Sequence, residues 1–329
     1  MPEGQGSRRQ AGRATWSFAL ALGLAAAAAP GLAGELPRVR TLGVLGPEQG
    51  LSHGGTYAVV QDRRGFVWVA TQDGLDRYDG HSVTVFRSQV ETPGSLGSSD
   101  TSSLLVDRTG ALWVGTWGGG LSRLDPATER FETFGKDLTR PGALRDDRIQ
   151  ALSEDRSGVL WVGTYAGGLS RLDPGGRSFT TFLPDDKDPA AIPAPRVWAV
   201  GEDGDGSMWV STSRGLSRLD RATGRFASVG SQEAIGLVKA ICLDRGGTLW
   251  LGTGRGLMRR DPGGEIVAFA PRPGTPGELL RTAAVNTIRE DRQGRLWVGL
   301  NGPGLCGLDR APGEMAGGGA APTRRAARA

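Results

Sequence analysis

DRTGALWVGTWGGGLSRLD, running from Asp107 to Asp125, is rewritten five more times along the 329-residue chain. The counterparts are DRRGFVWVATQDGLDRYD from Asp62, DRSGVLWVGTYAGGLSRLD from Asp155, DGDGSMWVSTSRGLSRLD from Asp203, DRGGTLWLGTGRGLMRRD from Asp244 and DRQGRLWVGLNGPGLCGLD from Asp291. Their tryptophans, Trp68, Trp113, Trp161, Trp209, Trp250 and Trp297, lie 45, 48, 48, 41 and 47 residues apart. Tandem units of roughly 40 to 50 residues, each holding several short strands, are the mark of propeller blades.

Within one unit, the Asp107-x-x-Gly110 start reads as a hairpin turn. The carboxylate accepts from turn amides and glycine supplies the positive φ where the chain reverses, which leaves no catalytic pair to invoke. Alternation through LWVG then sets Trp113 on one sheet face and Leu112 with Val114 on the other. A blade lying between two others buries both faces, so both are apolar, and the tryptophans are expected to pack between blades. Gly115 is expected to leave room for a neighbour's bulk.

Each unit also carries a short strand before the tryptophan strand (TSSLLVD before Trp113), a GLSRLD strand after it and a last strand such as RFETF, Arg130 to Phe134. Four strands in each of six repeats predict an all-β propeller, either closed with six blades or a fragment of a larger propeller array. Net charge is +4, and basic residues near the two ends account for the excess, leaving the repeat body formally neutral. That balance argues against a nucleic-acid or anionic-membrane surface.

Residues 1–33 read as a secretory signal: Arg8, Arg9 and Arg13 precede the apolar run Trp16 to Ala29, with small residues following. The run is 14 residues long, short of the about 20 that span a bilayer. Export with removal is expected; an uncleaved signal would anchor the protein to the membrane. Residues 34–310 form the repeat domain and 311–329 an Ala, Gly and Arg-rich tail expected to be disordered. The lone strand Val39 to Leu45 is expected to supply the missing fourth strand of the last unit.

Strand direction sorts the loops. Those from a fourth strand to the next first strand share a face with those between second and third strands, while the Asp-x-x-Gly and Asp-Pro turns share the other. The first face varies from unit to unit and is where specificity is expected. After second strands it carries Asp73, Trp117, Tyr165, Arg214, Arg255 and Asn301; leading into first strands it carries His53, Asp147, Arg196 with Trp198, Lys239 and Asn286. Trp117 and Tyr165 suit stacking on a sugar or other flat ring, and Arg196, Arg214 and Arg255 suit a carboxylate or sulfate. Taken one at a time, each reads more simply as a solvated loop side chain.

Motifs for catalysis are absent: there is no GxSxG, HExxH, Walker loop or CxxC. Asp203 and Asp205 read as turn residues rather than a calcium loop, since the later carboxylates are missing. His81 follows a turn and is expected to be exposed, whereas His53 sits on the variable face. Cys242 and Cys306 fall at non-equivalent positions and are expected to be buried free thiols. No cofactor and no metal are expected.

The six repeats, and GLSHGGTYAVVQDRRGFVWVATQDGLDRYDG from Gly50 to Gly80 above all, resemble the two-component regulator propeller family, the periplasmic sensor region of bacterial histidine kinases and diguanylate cyclases. The resemblance covers Val39 to Asp309 and implies a periplasmic propeller that receives a ligand and passes the signal to an output module. Family sensors commonly carry more blades, a β-sandwich, a membrane helix and a kinase or cyclase; none of these is read in this sequence. The expected partners are a small-molecule or oligosaccharide ligand and a membrane signalling partner or a second copy, with no nucleic acid. Two alternatives stand beside a non-enzymatic sensor: a lyase resembling the streptogramin lyases, with His53 its sole candidate base, and a protein-interaction platform.

Overall fold

Asp107 does two things at once in the folded chain. Its Oδ1 accepts the amides of Thr109 and Ala111, both at 2.9 Å, and its Oδ2 accepts the indole N–H of Trp113 at 2.8 Å. The same carboxylate-to-indole bond recurs as Asp62–Trp68 (3.0 Å), Asp155–Trp161 (2.9 Å), Asp203–Trp209 (3.1 Å), Asp244–Trp250 and Asp291–Trp297 (2.8 Å). The turn residue therefore also satisfies the polar edge of the tryptophan six positions on, which lets a large indole be buried without an orphaned donor.

The computed structural model describes residues 45–261, 263–271, 276–302 and 304–308. The expected signal at 1–33, the closing strand from Val39 (save Leu45) and the tail at 311–329 lie outside them. The described chain is an all-β propeller whose sheets are antiparallel and follow sequence order. It divides into two units, Met1–Val197 and Trp198–Ala329.

In the first unit, blade 1 consists of Thr56–Gln61, Val67–Thr71, Gly74–Tyr78 and Val83–Phe86. Blade 2 follows with Thr101–Val106, Leu112–Thr116, Leu121–Asp125 and Arg130–Phe134, and blade 3 with Ile149–Glu154, Leu160–Thr164, Leu169–Leu172 and Phe179–Phe182. The division between units falls at the start of blade 4, Val197–Glu202, Met208–Thr212, Gly215–Asp220 and Arg225–Ser231. Blade 5 is Val238–Leu243, Leu249–Thr253, Gly256–Arg260 and Ile266–Ala268; blade 6 shows three strands among the described residues, Val285–Glu290, Leu296–Leu300 and Gly304–Leu308.

Packing between blades follows the alternation. In the first unit Trp68 packs with Leu112 and Val114 of blade 2, and Trp113 with Leu160 and Val162 of blade 3. In the second, Trp209 packs with Leu249 and Leu251, and Trp250 with Leu296 and Val298. A Cβ on Gly115 would stand 2.7 Å from Ile149 Cγ2 of blade 3, so the absent side chain is what lets the next blade close in.

The long connections do more than vary. Leu96 and Leu144 are buried in the clusters around Trp68 and Trp113, and Ile235 and Leu280 in those around Trp209 and Trp250. Gly94 and Gly142 carbonyls accept the amides of Phe131 (2.8 Å) and Phe179 (2.7 Å) on outer strands. These connections thus plug the seams beside them, and those of Gly94 and Gly142 also cover part of an otherwise open strand edge. Among the described residues helix is confined to the turn Gln232–Ile235 and two 3₁₀ segments, Pro47–Gln49 and Pro276–Arg281, and none is long and apolar enough to cross a membrane.

Candidate functional site

Backbone contacts bring the loops of blades 2 and 3 together. The Trp117 amide donates to the Asp100 carbonyl at 2.7 Å, while Trp117 also bridges Arg148, whose carbonyl accepts the Tyr165 amide at 2.9 Å. Gly118 and Gly120 donate to the Asp147 carbonyl at 3.1 and 3.0 Å. In blades 2 and 3 the loop after the second strand is therefore stitched to the segments leading into first strands, and the aromatic residues of these two blades meet. The Trp117 and Tyr165 rings lie 5.2 Å apart, edge to face at 76°.

Two guanidiniums close on the tyrosine. Arg148 lies 4.4 Å from the centre of the Tyr165 ring and Arg196 4.2 Å from it; Arg148 is also 5.9 Å from the Trp117 ring. Arg148 is held in a two-pronged bond by Asp146, Nε to Oδ1 at 2.9 Å and NH2 to Oδ2 at 3.1 Å. The buried Asp146 carboxylate also accepts the Ala166 amide at 2.6 Å, which ties the Tyr165 loop to the same pair. Arg196 donates Nε to Gln150 Oε1 at 3.2 Å.

The two cations differ in their surroundings. The Asp146 bond pushes the Arg148 pKa up against some burial. Burial draws the Arg196 pKa down, Tyr165 opposes that, and the like charge of Arg148 adds to it. Cations over aromatic faces gain about 0.5–2 kcal/mol each, more where water is excluded. The arrangement is a half-buried aromatic corner carrying two positive charges and one committed negative charge.

Of the residues singled out from sequence, Trp117, Tyr165 and Arg196 come together here. His53 serves its own turn, its Nδ1 accepting the Gly55 amide at 2.9 Å. Asp73 forms an exposed pair with Arg87 at 3.0 Å. In the second unit, Arg255 donates to the Glu233 carbonyl at 2.5 Å, at the short helix, and its own amide goes to Thr253. Arg214 is exposed with its amide on Thr212 Oγ1, Asn301 is placed by its amide on the Ala284 carbonyl, and Trp198 is half-buried on the first strand of blade 4.

Sequence reading missed Asp146, Arg148 and Gln150. The signal was available: Arg148 precedes the first strand of blade 3 as Arg196 precedes that of blade 4, 48 residues later. It also missed a slip in the first strands, whose ladder to the second strand skips Tyr57, Ser102, Gln150, Lys239 and Asn286. Such bulges re-aim a side chain: Gln150 meets Arg196, Tyr57 meets Gln72 at 2.6 Å, and Lys239 meets Asn286 at 3.1 Å. Cys242 and Cys306 are free but half-buried rather than buried. Asp203 and Asp205 are occupied by turn amides and by Arg260 and Arg218, at 2.7 Å each.

The model of the two-component regulator propeller matches residues 143–166 and 280–302. Histidine kinase P4 of Formosa agariphila is 38% identical over 50 residues, which are 15% of this chain and 4% of that protein. The extracellular domain of the hybrid two-component system BT3049 from B. thetaiotaomicron superposes with a TM-score of 0.54 at 24% identity, over 82% of this chain and 41% of that one. For the extracellular domain of the one-component system BT4673 from the same organism the figures are 0.60 and 20%, over 79% and 35%. Virginiamycin B lyase from Staphylococcus aureus shares the fold at 16% identity and a TM-score of 0.53, over 74% of this chain and 76% of its own. The chain thus spans less than half the length of these signalling proteins and of the extracellular domains it matches.

Proposed function

We propose that the chain is the ligand-receiving propeller of an exported signalling receptor and works by binding rather than by catalysis, a reading supported by the two segments that match the two-component regulator propeller. The observation that carries this reading is the Trp117–Tyr165–Arg148–Arg196 corner, which gathers ring faces and guanidiniums on the loop face of a rigid scaffold. Likeness to extracellular domains of two-component systems supports the compartment, the periplasm, and the role; the kinase or cyclase that reads the signal belongs on a membrane partner or on further sequence. The ligand expected there is a small molecule or an oligosaccharide, and the neutral repeat body disfavours nucleic acid.

A thermal-shift screen of sugars, oligosaccharides and small metabolites tests it. A ligand that binds only the folded chain stabilises it by about 2.7 kcal/mol at a hundred times its Kd, which moves the melting temperature by several degrees. Trp117→Ala is expected to abolish that shift. No stabilisation by any compound, together with normal signalling by a full-length receptor carrying Trp117→Ala and Arg196→Ala, would end the proposal.

A further inference from the structure

Of the 39 lysines and arginines in the sequence only three are lysines, Lys136, Lys187 and Lys239. Lys136 and Lys187 stand exposed in connections between blades, whereas Lys239 is half-buried on the first strand of blade 5. The strand slip between Val238 and Ala240 turns Lys239 out of the ladder, and the matching slip in blade 6 does the same for Asn286. The two side chains meet across the seam, Lys239 Nζ donating to Asn286 Oδ1 at 3.1 Å. Among the described residues that is the one hydrogen bond of the ammonium, and no carboxylate pairs with it. Burial alone draws its pKa down, with no neighbouring charge contributing.

A cation withdrawn from water against a single neutral acceptor is costly, because buried charge is ordinarily paired. Hydrogen-bonding capacity points to what would pair it. An ammonium has three N–H donors, of which one is used here; the Asn286 oxygen faces the ammonium, so its NH2 group, unpartnered among the described residues, supplies two more. Donors and positive charge together suit a group that only accepts, such as a carboxylate or a phosphate. Lysine holds such a group as a point charge, and the planar amide beside it adds the direction that an ammonium lacks.

We propose that Lys239 and Asn286 form an oxyanion-binding site at the seam of blades 5 and 6, one ligand oxygen accepting from the ammonium and another from the Asn286 amide. Both residues belong to the second unit, and the site does not rest on the reading of Trp117 and Tyr165 in the first.

The scarcity of lysine makes the test direct. The full chain is acetylated with succinimidyl acetate at constant ionic strength, and the label at each lysine is read by mass spectrometry while inorganic phosphate or acetate replaces chloride. At about ten times its Kd a bound anion leaves about a tenth of the sites open, so labelling of Lys239 is expected to fall about tenfold while Lys136 and Lys187 keep their rates. Protection by phosphate at the lower concentration assigns the group as a phosphate, and the reverse order as a carboxylate. Asn286→Asp sets a carboxylate against the ammonium in the ligand's place and is expected to abolish protection by either anion. Lys239→Met is expected to lose the rise in melting temperature that the effective anion gives the wild-type chain, and Lys239→Arg to keep part of it.

Protection of all three lysines alike, or of none by either anion, overturns the site; Lys239 is then a packed stem with its head in water. Protection that persists in Asn286→Asp, or a rise in melting temperature that persists in Lys239→Met, puts the anion elsewhere and overturns it as well. Should a variant fold poorly, the comparison of Lys239 with the two exposed lysines on the wild-type chain still decides. Each of these outcomes leaves the Trp117→Ala test of the receptor reading as it was.

Discussion

At the scale of the residue, the aspartate that opens each repeat carries more than its turn. Trp161 is 2% exposed and its indole N–H has Asp155 Oδ2 as its partner at 2.9 Å, while Oδ1 serves the amides of Ser157 and Val159 at 2.9 and 3.0 Å. Asp155→Ala therefore strands a buried donor and is expected to cost about 1–3 kcal/mol, measured as a fall in the urea midpoint at unchanged slope. A neutral result would mean that water reaches the indole. Asp107 and Asp291 belong to the same device. Burial raises their pKa values, but the combined bonds from Thr109, Trp113 and Ala111 in one case, and from Trp297, Arg295 and Gln293 in the other, outweigh it and bring them below the usual carboxylate range. Groups lowered in the folded state contribute stability above their unfolded pKa of about 4 and lose it as pH falls through the folded value.

Asp76 has the opposite sign. It stands in the slot that Ser122, Ser170 and Ser217 fill in other blades. Its Oδ2 accepts the Ser52 amide and hydroxyl, both at 2.9 Å, whereas its Oδ1 is buried without a hydrogen-bond partner among the described residues. Burial pushes its carboxyl up against the lowering bonds from Ser52. A raised acid binds its proton more tightly when folded, so it takes stability away as pH climbs from about 4 through the folded value. The stability difference between Asp76→Asn and wild type should accordingly move in the variant's favour across that interval. Urea titrations at pH 4, 5, 6 and 7 read it, and a difference independent of pH refutes it.

At the scale of the element, strands were legible because their signals are local and repeated. The Asp-x-x-Gly turn, the alternation through LWVG and the second turn before the outer strand recur at one spacing, so each copy checks the others. The loops were not, since their contribution is a single apolar residue within a run of Pro, Gly and polar residues that reads as solvent-exposed. Pro93-Gly94-Ser95-Leu96 and Pro141-Gly142-Ala143-Leu144 are such runs, and Ile192 follows Leu144 by 48 residues as Leu144 follows Leu96. Their burial depends on a neighbouring blade, which no short window of sequence displays. The strand slips at Tyr57, Ser102 and Gln150 were hidden for the same reason, because pairing register is a property of two strands. Leu144→Ala removes a fully buried side chain from the cluster of Trp113, Phe134 and Phe179 and is expected to cost about 2–5 kcal/mol. Surface loop leucines cost far less, so a loss under about 0.5 kcal/mol in denaturant melts would show that the plug is loose.

At the scale of the whole molecule, the described contacts run along the chain from sheet to neighbouring sheet within each unit, as expected of a repeat protein. Stability in such an architecture is graded from the inside of a blade outward. The tryptophan strands Val67–Thr71, Leu112–Thr116, Leu160–Thr164, Met208–Thr212 and Leu249–Thr253 are buried at every position. Outer strands such as Arg225–Ser231 alternate or stand exposed, and Gly304–Leu308, the last described strand of blade 6, has no buried position. Amides open to exchange at a free energy set by the local contacts that must break. Native-state hydrogen exchange followed by mass spectrometry should therefore find the slowest peptides over the five tryptophan strands and the fastest over Gly304–Leu308, with first and third strands between. A ligand seated at Trp117 and Tyr165 would slow the peptides spanning 117–120 and 165–168 ahead of any others. Uniform protection across inner and outer strands would contradict a fold held together by tryptophan seams, and would instead require each blade to open as one piece.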